Sequence, residues 1–349
     1  MSIHTNNILL IGPLINKHNP KITGGAIVLF NNLLEELNES KVNYLLIDTN
    51  KENYTNMIIA YISIFLQIFI KQFKVNHISL HSSRDYLFFA PYIIILGKVF
   101  SKSTSLRKFG GEALTVYNSS IGLKKKILTF IFINIDFFFL EMKNMVYGFT
   151  ELNKNTFWFP NVRQVPKIEI KTKEFSKKFV FISQIFKEKG IDEILEASTY
   201  LPQEYTIDLY GPIKDSKYTD EYLKQYPVCY CGALDSENVL SKLNEYDILL
   251  LPTYYKGEGY PGIVIESYSI GIPIIVTNLT GLSEITDHQR TGLLIEPKNI
   301  EALVKAILYF DKKNYSAMSK YAKEKFSNFN ASEQTYKFLK IIDKTDIIN

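Results

Sequence analysis

The stretch that decides the fold is DILLLPTYYKGEGYPGIVIESYS, residues 247–269. It begins with an apolar run typical of a buried strand and continues through a glycine-containing loop. A helical pattern then starts near Pro261 and Gly262, since proline is favoured at the first helical position. The segment GIPIIVT at 271–277 predicts a further strand. A strand, a helix and a second strand in this order predict a parallel pair joined by a crossover helix.

The same alternation of strands and helices extends along the chain on both sides of this stretch. It predicts an α/β fold with parallel sheets covered by helices on both faces, and a restart near residue 177 indicates two such domains. Two doubly wound domains of this kind are expected to face each other across a deep cleft, with ligand-binding loops after the strands. The predicted strands are 7–14, 42–48, 75–81, 177–183, 205–211, 227–234, 247–253, 271–277 and 291–297, and the predicted helices are 25–39, 54–73, 190–198, 236–246, 299–312 and 331–344.

A chain of 349 residues also favours two domains, because one hydrophobic core rarely serves so long a chain. We assign the first domain to 1–165 and the second to 176–330. The connecting segment 158–175 contains proline and several lysines and has no helical pattern. The last segment, 331–349, is expected to form a helix that packs back toward the first domain.

Three features of the sequence bear on metal sites, secretion and membrane spans. The two cysteines, Cys229 and Cys231, form no metal-ligand pattern and are expected to be buried or half-buried in a strand. The N-terminus has no basic segment before an apolar run, so we predict no signal peptide. The apolar runs 57–70 and 127–140 are 14 residues each, too short for a bilayer span, and are expected to be buried.

The net charge differs between the two halves of the chain. Residues 1–165 contain 17 Lys and Arg against 10 Asp and Glu, a net charge of +7, whereas the whole chain carries +4, so the rest carries −3. In the segment GLKKKILTFIF at 122–132, three lysines lead directly into apolar residues. This pattern is typical of contact with an anionic membrane surface or acceptor, and equally of a solvated helix end.

The loop and helix after residue 253 carry the groups expected of a nucleotide-sugar pocket. The N–H groups of Gly262, Ile263 and Val264 open the helix and form a ready phosphate site. Glu258 precedes the helix, where it can hold sugar hydroxyls, and Glu266 lies near enough to accept hydrogen bonds from a ribose. The spacing alone equally allows a loop carboxylate and an exposed helix residue.

Taken together, the motifs resemble those of retaining GT-B glycosyltransferases of family four, the glycosyl transferases group 1. The donor-site signature of that family is similar to GEGYPGIVIES, with its two glutamates eight positions apart, followed by GIPIIVT. Further resemblances follow in the family's order along nearly the whole chain. They are TGGAIVLFNNLLEEL (23–37), TFWFPNVR (156–163), FISQIFKEKGIDEILEA (181–197), LYGPI (209–213) and TGLSEITDHQRTGLLIEP (280–297).

The resemblance implies a role for each matching residue on the nucleotide-sugar donor. Lys189 would pair with the diphosphate, Glu258 with the sugar hydroxyls and Glu266 with the ribose. Backbone at Tyr260, Pro261, Gly262 and Ile263 would approach the sugar and the phosphates. Gly24 and Gly25 would approach the diphosphate from the first domain, which would also bind the acceptor. Glu258 and Lys189 are therefore the catalytic candidates.

Two positions depart from the family pattern. Gln184 stands where the family usually has arginine, and it can donate a hydrogen bond without bringing charge. The family's histidine after the fourth strand is missing from TSLRKFGGEAL at 104–114. Arg107, Gly110 and Gly111 occupy that turn and are candidates for contact with the acceptor or the diphosphate. His81 is the nearest histidine candidate, although histidines at strand ends are usually structural.

The resemblance implies a retaining, metal-independent hexosyltransferase with no cofactor, whose donor is most often a UDP-sugar. The absence of an Asp-x-Asp motif agrees with this and argues against a metal-dependent type. We expect a lipid-linked or oligosaccharide acceptor of bacterial surface polysaccharide synthesis, a cytoplasmic or peripheral membrane location, and no nucleic-acid partner. Two alternatives remain: a catalytically silent GT-B partner protein, and a nucleotide-sugar epimerase of the same architecture.

Overall fold

The computed structural model describes residues 8–19, 24–170 and 174–343. The chain divides into two compact units, one formed by residues 1–164 with 331–349 and the other by residues 165–330. Each unit contains a parallel six-stranded sheet. The predicted α/β class with two doubly wound domains is therefore confirmed, and the final helix belongs to the same unit as the N-terminal residues.

The first unit is built on a sheet with the strand order β2-β1-β3-β4-β5-β6. Its strands are β1 (Ile8–Gly12), β2 (Tyr44–Asp48), β3 (His77–Ser82), β4 (Ser103–Lys108), β5 (Phe137–Leu140) and β6 (Thr156–Trp158). Its helices are α1 (Gly25–Glu39), α2 (Met57–Lys71), α3 (Tyr86–Val99), α4 (Ala113–Ser119), α5 (Gly122–Asn134), α6 (Lys143–Phe149) and α14 (Ala331–Ile342).

The core of the first unit forms where apolar strands meet amphipathic helices. β1 is buried along its whole length, as expected for a central parallel strand that is covered on both faces. Helices α1 and α14 pack together on one side of the sheet. Phe30 of α1 and Phe338 of α14 lie in one buried cluster with Phe139 of β5, so the final helix completes this core.

The second unit repeats the plan with the strand order β12-β11-β10-β7-β8-β9. Its strands are β7 (Lys178–Ile182), β8 (Thr206–Tyr210), β9 (Cys229–Tyr230), β10 (Ile248–Leu251), β11 (Ile274–Thr277) and β12 (Gly292–Ile295). Its helices are α7 (Ile191–Ser198), α8 (Asp220–Leu223), α9 (Val239–Leu243), α10 (Gly262–Ser269), α11 (Thr280–Ile285), α12 (Ile300–Leu308) and α13 (Lys312–Lys325).

The prediction that the two long apolar runs are buried is wrong for the first and incomplete for the second. Helix α2 continues as a 3₁₀ turn to Lys74, and 22% of the 18-residue stretch Met57–Lys74 is buried. Its inner stripe of Ala60, Ile64 and Ile68 is buried, whereas most other apolar side chains are exposed. By length and composition alone, this helix is apolar enough to cross a membrane. The second run is divided between α5 and β5.

The expectation for the two cysteines is also wrong. Cys229 and Cys231 are exposed, because β9 is a two-residue strand at the edge of the sheet and has a neighbour on one side. The predicted strand at 227–234 is correspondingly shorter, and the predicted helix at 236–246 begins as a 3₁₀ turn before α9. Edge position depends on the order of strands, which the local sequence does not contain.

His81 lies inside the first unit and is fully buried. Its Nε2 atom is 2.8 Å from the Ser79 hydroxyl, and its ring centroid is 5.1 Å from that of Phe30 and 5.9 Å from that of Phe338. Burial, and then the charge of Arg107, lowers the pKa of His81 well below its usual value. The suggested contact of His81 with an acceptor or diphosphate therefore does not occur in this structure, because apolar side chains enclose the ring.

We expect His81 to make the first unit sensitive to acid. Its pKa is lowered in the folded state, so its neutral form stabilises the fold above the unfolded-state value of about 6.5, and this stabilisation is lost as the pH falls below it. The comparison is therefore made between about pH 7.5 and about pH 5.5, on either side of the unfolded-state value. In a His81→Phe variant, the fall in melting temperature over this range should be smaller than in the wild type. An exposed-site control, His18→Phe, should behave as the wild type; an equal fall in all three proteins would contradict the assignment.

Candidate active site

Two neighbouring strands of the second unit bring the predicted site residues together. β7 pairs with β10 in parallel, so the loops that follow both strands leave the same edge of the sheet. The loop after β7 contains a 3₁₀ turn, Lys187–Lys189, and the loop after β10 leads to α10. The two loops are joined where the Tyr254 N–H donates to the Glu188 carbonyl at 2.8 Å.

Gly190 allows the loop after β7 to approach the end of β10. Its φ is +81°, in the left-handed region that favours glycine. A Cβ atom at this position would lie 2.3 Å from the Pro252 carbonyl oxygen, far inside a normal contact. The glycine of the KG pair in the sequence is therefore required by both its backbone angle and its neighbour, and it fixes the position of Lys189.

Lys189 and Glu258 form an ion pair at the centre of the site. The Lys189 Nζ atom is 2.5 Å from Glu258 Oε2, and the two side chains are 12% and 11% exposed. The hydroxyl of Thr253, which is fully buried, donates to the same carboxylate oxygen at 3.1 Å. Both contacts use Oε2, so the carboxylate is fixed on one side while Oε1 takes neither of these bonds. The sequence predicted separate ligands for Lys189 and Glu258, and the structure adds that they contact each other.

Helix α10 begins beside this pair with no side chain capping its first turn. Pro261 is the N-cap and Gly262 the first helical residue, so the prediction of proline at the first helical position is wrong by one residue. The Val264 N–H donates to the Pro261 carbonyl at 3.1 Å, which leaves Gly262 and Ile263 as the N–H groups of the predicted phosphate site. Both residues are half-buried.

The loop before α10 is held in place by a second set of contacts. The Tyr260 side chain is buried, and its hydroxyl donates to Glu284 Oε2 at 2.6 Å. Gly281, at the start of α11, lies so close to this loop that a Cβ atom there would be 2.4 Å from the Gly259 carbonyl oxygen. Helix α11 therefore fixes residues 259–261 without a contribution from a ligand.

The two remaining donor candidates of this unit are Glu266 and Gln184. Glu266 is half-buried in the second turn of α10. Gln184 is exposed in the loop after β7. The N–H of the next residue, Ile185, donates to the Pro212 carbonyl. The structure thus places Gln184 on an accessible loop, and its predicted contact with the donor stays a prediction.

In the first unit, the glycine candidates lie at exposed or half-buried backbone. Gly24 is the N-cap of α1 and Gly25 its first residue, and an added Cβ at either would meet no atom within 4 Å. The preceding Thr23 of the predicted glycine loop lies outside the described residues. Gly110 follows β4 with a φ of +84°, and its N–H donates to Glu141 Oε2 at 3.0 Å; Gly111 is half-buried beside it.

Arg107 does not occupy this accessible turn. Its side chain is 1% exposed, with the guanidinium carbon 3.5 Å from the centroid of the Phe159 ring. One terminal nitrogen donates to the Pro160 carbonyl at 2.9 Å, and burial lowers the pKa of Arg107 to about 9. The suggested contact of Arg107 with an acceptor is therefore not made in this structure, because the side chain is directed into the core.

Sequence reasoning missed three residues that shape the site. Thr253 is the second residue of the loop after β10. Tyr255 packs its ring edge-on against Phe186, with centroids 5.9 Å apart. Glu284 lies in the TGLSE segment, whose resemblance to the family was noted without a role for its carboxylate. Position after a strand is a usable signal for Thr253, whereas the contact between Tyr260 and Glu284 depends on tertiary packing.

Comparison with known proteins finds a family that this unit resembles. Residues 163–325 match the family model described as "Glycosyl transferases group 1". The matching stretch, which is just under half of the chain, is similar to that family. The Lys189–Glu258 pair and the uncapped start of α10 lie within this stretch.

The proteins to which the chain is similar include some named for bacterial polysaccharide synthesis. The chain is 32% identical over 135 residues to Bacillus subtilis TuaC, a protein named for teichuronic acid biosynthesis; the match covers 38% of this chain and 32% of TuaC. It is 26% identical over 162 residues to an Escherichia coli UDP-Gal:alpha-D-GlcNAc-diphosphoundecaprenol alpha-1,3-galactosyltransferase, covering 43% of this chain and 41% of that protein. The matches thus span less than half of these relatives' lengths.

The likeness of folds extends over both units. Anabaena Alr3699/HepE, solved in complex with UDP, aligns with a TM-score of 0.72 at 11% identity, covering 97% of this chain and 100% of that one. At this identity the likeness establishes the fold, which is GT-B. The stretch that matches the group 1 model lies in the second of the two units.

The role of Gly190 can be separated from the general cost of a left-handed residue. Gly190 and Gly232 both have a φ of +81°, but a Cβ at Gly232 would meet no atom within 4 Å. Replacement by alanine at Gly232 should cost about 1–2 kcal/mol of unfolding free energy, the usual cost of a left-handed residue. Gly190→Ala should cost at least about 2 kcal/mol more, because the Pro252 carbonyl must move. Urea unfolding of the two variants measures this difference, and equal losses would contradict the packing argument.

Proposed function

We propose that this protein is a retaining glycosyltransferase that moves a hexosyl group from a UDP-sugar to a saccharide acceptor of bacterial surface polysaccharide synthesis. The observation that carries the proposal is the Lys189–Glu258 ion pair beside the uncapped N-terminus of α10, inside the stretch that matches the glycosyl transferases group 1 model. A cation, two helix N–H groups and a carboxylate supply the contacts that a diphosphate and a sugar require.

Each group has a distinct task on the donor in this proposal. Lys189 and the N–H groups of Gly262 and Ile263 bind the diphosphate and stabilise its negative charge as the nucleotide departs. Glu258 accepts hydrogen bonds from the sugar hydroxyls through Oε1, while Thr253 holds its other oxygen. Glu266 accepts hydrogen bonds from the ribose.

The transfer itself uses the departing phosphate as its base. The bond from the sugar C1 to the diphosphate oxygen breaks, and a bond from C1 to the acceptor oxygen forms on the same face of the sugar. The acceptor proton passes to an oxygen of the departing diphosphate, so the balance requires no protein base and no metal or other cofactor. Glu258 already pairs with Lys189 before a donor binds. The diphosphate must therefore compete with this carboxylate for the lysine.

The acceptor is proposed to be a lipid-linked saccharide at an anionic membrane surface. Helices α2, α3 and α5 form one layer of the first unit, since α2 contacts α3 and α3 contacts α5. This layer exposes apolar side chains on all three helices, among them Ile58 (73%), Leu66 (57%) and Leu123 (73%). Lys124 and Lys126 are exposed at the start of α5. We call this layer the α2–α3–α5 face.

An apolar face with adjacent lysines is the chemistry of a protein that lies on a membrane instead of spanning it. The stripe of Ala60, Ile64 and Ile68 on α2 is fully buried in the first unit. If α2 left the unit to span a bilayer, the part of the core that this stripe covers would be exposed. Lysines beside an apolar surface add electrostatic attraction to anionic lipids, about 1 kcal/mol for each lysine near the surface. The protein is accordingly proposed to be cytoplasmic and peripheral on the membrane that carries its acceptor.

The donor proposal predicts different defects for the two members of the ion pair. Lys189→Ala should weaken binding of UDP alone and lower turnover by about 10²–10³-fold, since it removes charge stabilisation of the leaving group. Glu258→Gln should bind UDP at least as tightly as the wild type, because it removes the carboxylate that competes for Lys189. It should nevertheless lose turnover by about 10²-fold, because the sugar contact is weakened. Calorimetry with UDP, and nucleotide release from a panel of nucleotide sugars, measure both effects.

The exposed pair Lys312–Glu174 supplies matched controls, at 2.7 Å in the same unit. Lys312→Ala and Glu174→Gln make the same charge changes and should leave binding and turnover unchanged. A wild-type protein that binds no nucleotide sugar would exclude the transferase and support the catalytically silent partner. Donor conversion without transfer to any acceptor would instead support an epimerase.

The membrane proposal predicts binding to anionic vesicles that depends on the α2–α3–α5 face. The wild type should sediment with vesicles of phosphatidylcholine and phosphatidylglycerol and less with phosphatidylcholine alone, and added salt should reduce binding. Ile58→Ser with Leu66→Ser should weaken binding at least about tenfold, since two apolar side chains no longer insert. The control pair Leu308→Ser with Tyr309→Ser changes two exposed side chains of the second unit, 43% and 42% exposed, and should bind as the wild type. Equal binding by both double variants would contradict the proposal.

A further inference from the structure

Three metal-ligand side chains meet at the edge of the second sheet, away from the ion pair. In the parallel pairing of β8 with β9, Asp208 is the register partner of Cys229. Register partners point to the same face of a sheet, and so do residues two apart along a strand. Cys231 directly follows β9, and its N–H donates to the Leu209 carbonyl at 2.9 Å, so the pairing with β8 continues to this residue. Asp208, Cys229 and Cys231 therefore project on one face, which the local sequence around the cysteines does not reveal.

The distances among these side chains agree with ligation of one cation. The two sulfur atoms are 3.5 Å apart, and a ligand atom of each of the three residues lies within 4.8 Å of the others. Two thiolates bound to a tetrahedral zinc ion at about 2.3 Å lie roughly 3.8 Å apart, so small side-chain adjustments suffice. Both cysteines are exposed, so a cation from solution reaches them directly.

The carboxylate is already held in position by buried tyrosines. The Tyr246 hydroxyl donates to Asp208 Oδ2 at 2.5 Å, and the Tyr210 hydroxyl lies 3.0 Å from that of Tyr246. Both tyrosine side chains are buried. Hydrogen bonds of this kind orient carboxylate ligands at metal sites, and Oδ1 remains for the cation. Lys242 lies close enough to interact electrostatically with Cys231 and offsets part of the negative charge.

We propose that Asp208, Cys229 and Cys231 bind a thiophilic divalent cation of the zinc class, with water in the fourth position. The donor set of two sulfurs and one oxygen selects such a cation over magnesium or calcium, which prefer all-oxygen sites. The cation joins β9, a strand of two residues, to β8. It stabilises this edge of the sheet and takes no step in the proposed transfer.

A disulfide between the two cysteines is the rival use of the pair, and the geometry favours the metal. In an extended strand, residues two apart have Cα atoms about 6.6 Å apart, near the upper limit for a disulfide. A disulfide also gives no role to Asp208, whereas the metal uses the aligned carboxylate. The two uses differ in what they require of the thiols, so one experiment separates them.

The test uses the full chain, treated with a chelator and reduced with a phosphine, and titrated with zinc chloride in a calorimeter and with cobalt chloride in a spectrophotometer. Zinc should bind one to one and raise the melting temperature, and cobalt should give a sulfur-to-metal charge-transfer band. Cys229→Ser and Cys231→Ser should each remove that band. Asp208→Asn should weaken zinc binding at least about tenfold while keeping the band, because both thiolates remain.

Asp235→Asn is the matched control, since it removes a carboxylate from an exposed position in the loop that follows β9. It should bind zinc and cobalt as the wild type does, and circular dichroism should be the same for all variants. Zinc binding unchanged by both cysteine variants, or no binding at all, would overturn the proposal. So would a disulfide that forms in air at the same rate with and without zinc. None of these measurements needs a donor sugar, so the result is independent of the proposed transferase activity.

Discussion

The contact between the loops after β7 and β10 organises the candidate site. These strands are neighbours in the sheet although Lys189 and Glu258 are separated by 69 positions along the chain. The left-handed Gly190 lets the first loop lie against the Pro252 carbonyl, and the Tyr254 N–H then bonds to Glu188. These backbone contacts place the loops that carry the lysine and the carboxylate side by side. The ion pair is therefore a consequence of backbone packing as much as of its own charge.

The site combines a loop that is fixed by hydrogen bonds with an ion pair, Lys189–Glu258, that a ligand can separate. Thr253 and the contact of Tyr260 with Glu284 fix the loop through hydrogen bonds that a bound donor need not break. The lysine, in contrast, is held by a carboxylate that any diphosphate would compete with. Removing two charged groups from water costs free energy, which the attraction between them must offset. A half-buried ion pair is therefore weak evidence for stability and a better candidate for a functional site.

The first unit buries two side chains that can carry positive charge and exposes apolar side chains. It encloses His81 and Arg107, two cation-forming side chains, among aromatic rings, and lowers the pKa of both. At the same time it exposes apolar side chains along α2, which a core would normally cover. The proposed membrane contact gives the exposed apolar surface of α2 a partner.

Much of the fold was predictable because strand and helix patterns are local. The apolar runs and their spacing identified most of the strands and the α/β class, and the glutamates and the KG pair identified the residues of the second unit that the structure places together. Boundaries were less accurate: Pro261 is the N-cap instead of the first helical residue, since capping depends on a few backbone angles. The pairing of Lys189 with Glu258 could not be read from the sequence, because it requires the order of strands in the sheet.

The sequence by itself thus determined which segments form strands and helices and which residue types stand in the loops after them. Tertiary structure alone decided which side chains are reached by solvent. An apolar helix such as α2 has the same local pattern whether it is covered or exposed, and a histidine in a strand such as His81 reads the same in a site or in a core. Cys229 and Cys231 show the same limit, since their exposure and their approach to Asp208 follow from β9 being an edge strand paired with β8. Burial and pairing are relations between distant segments, and a local pattern holds no information about them.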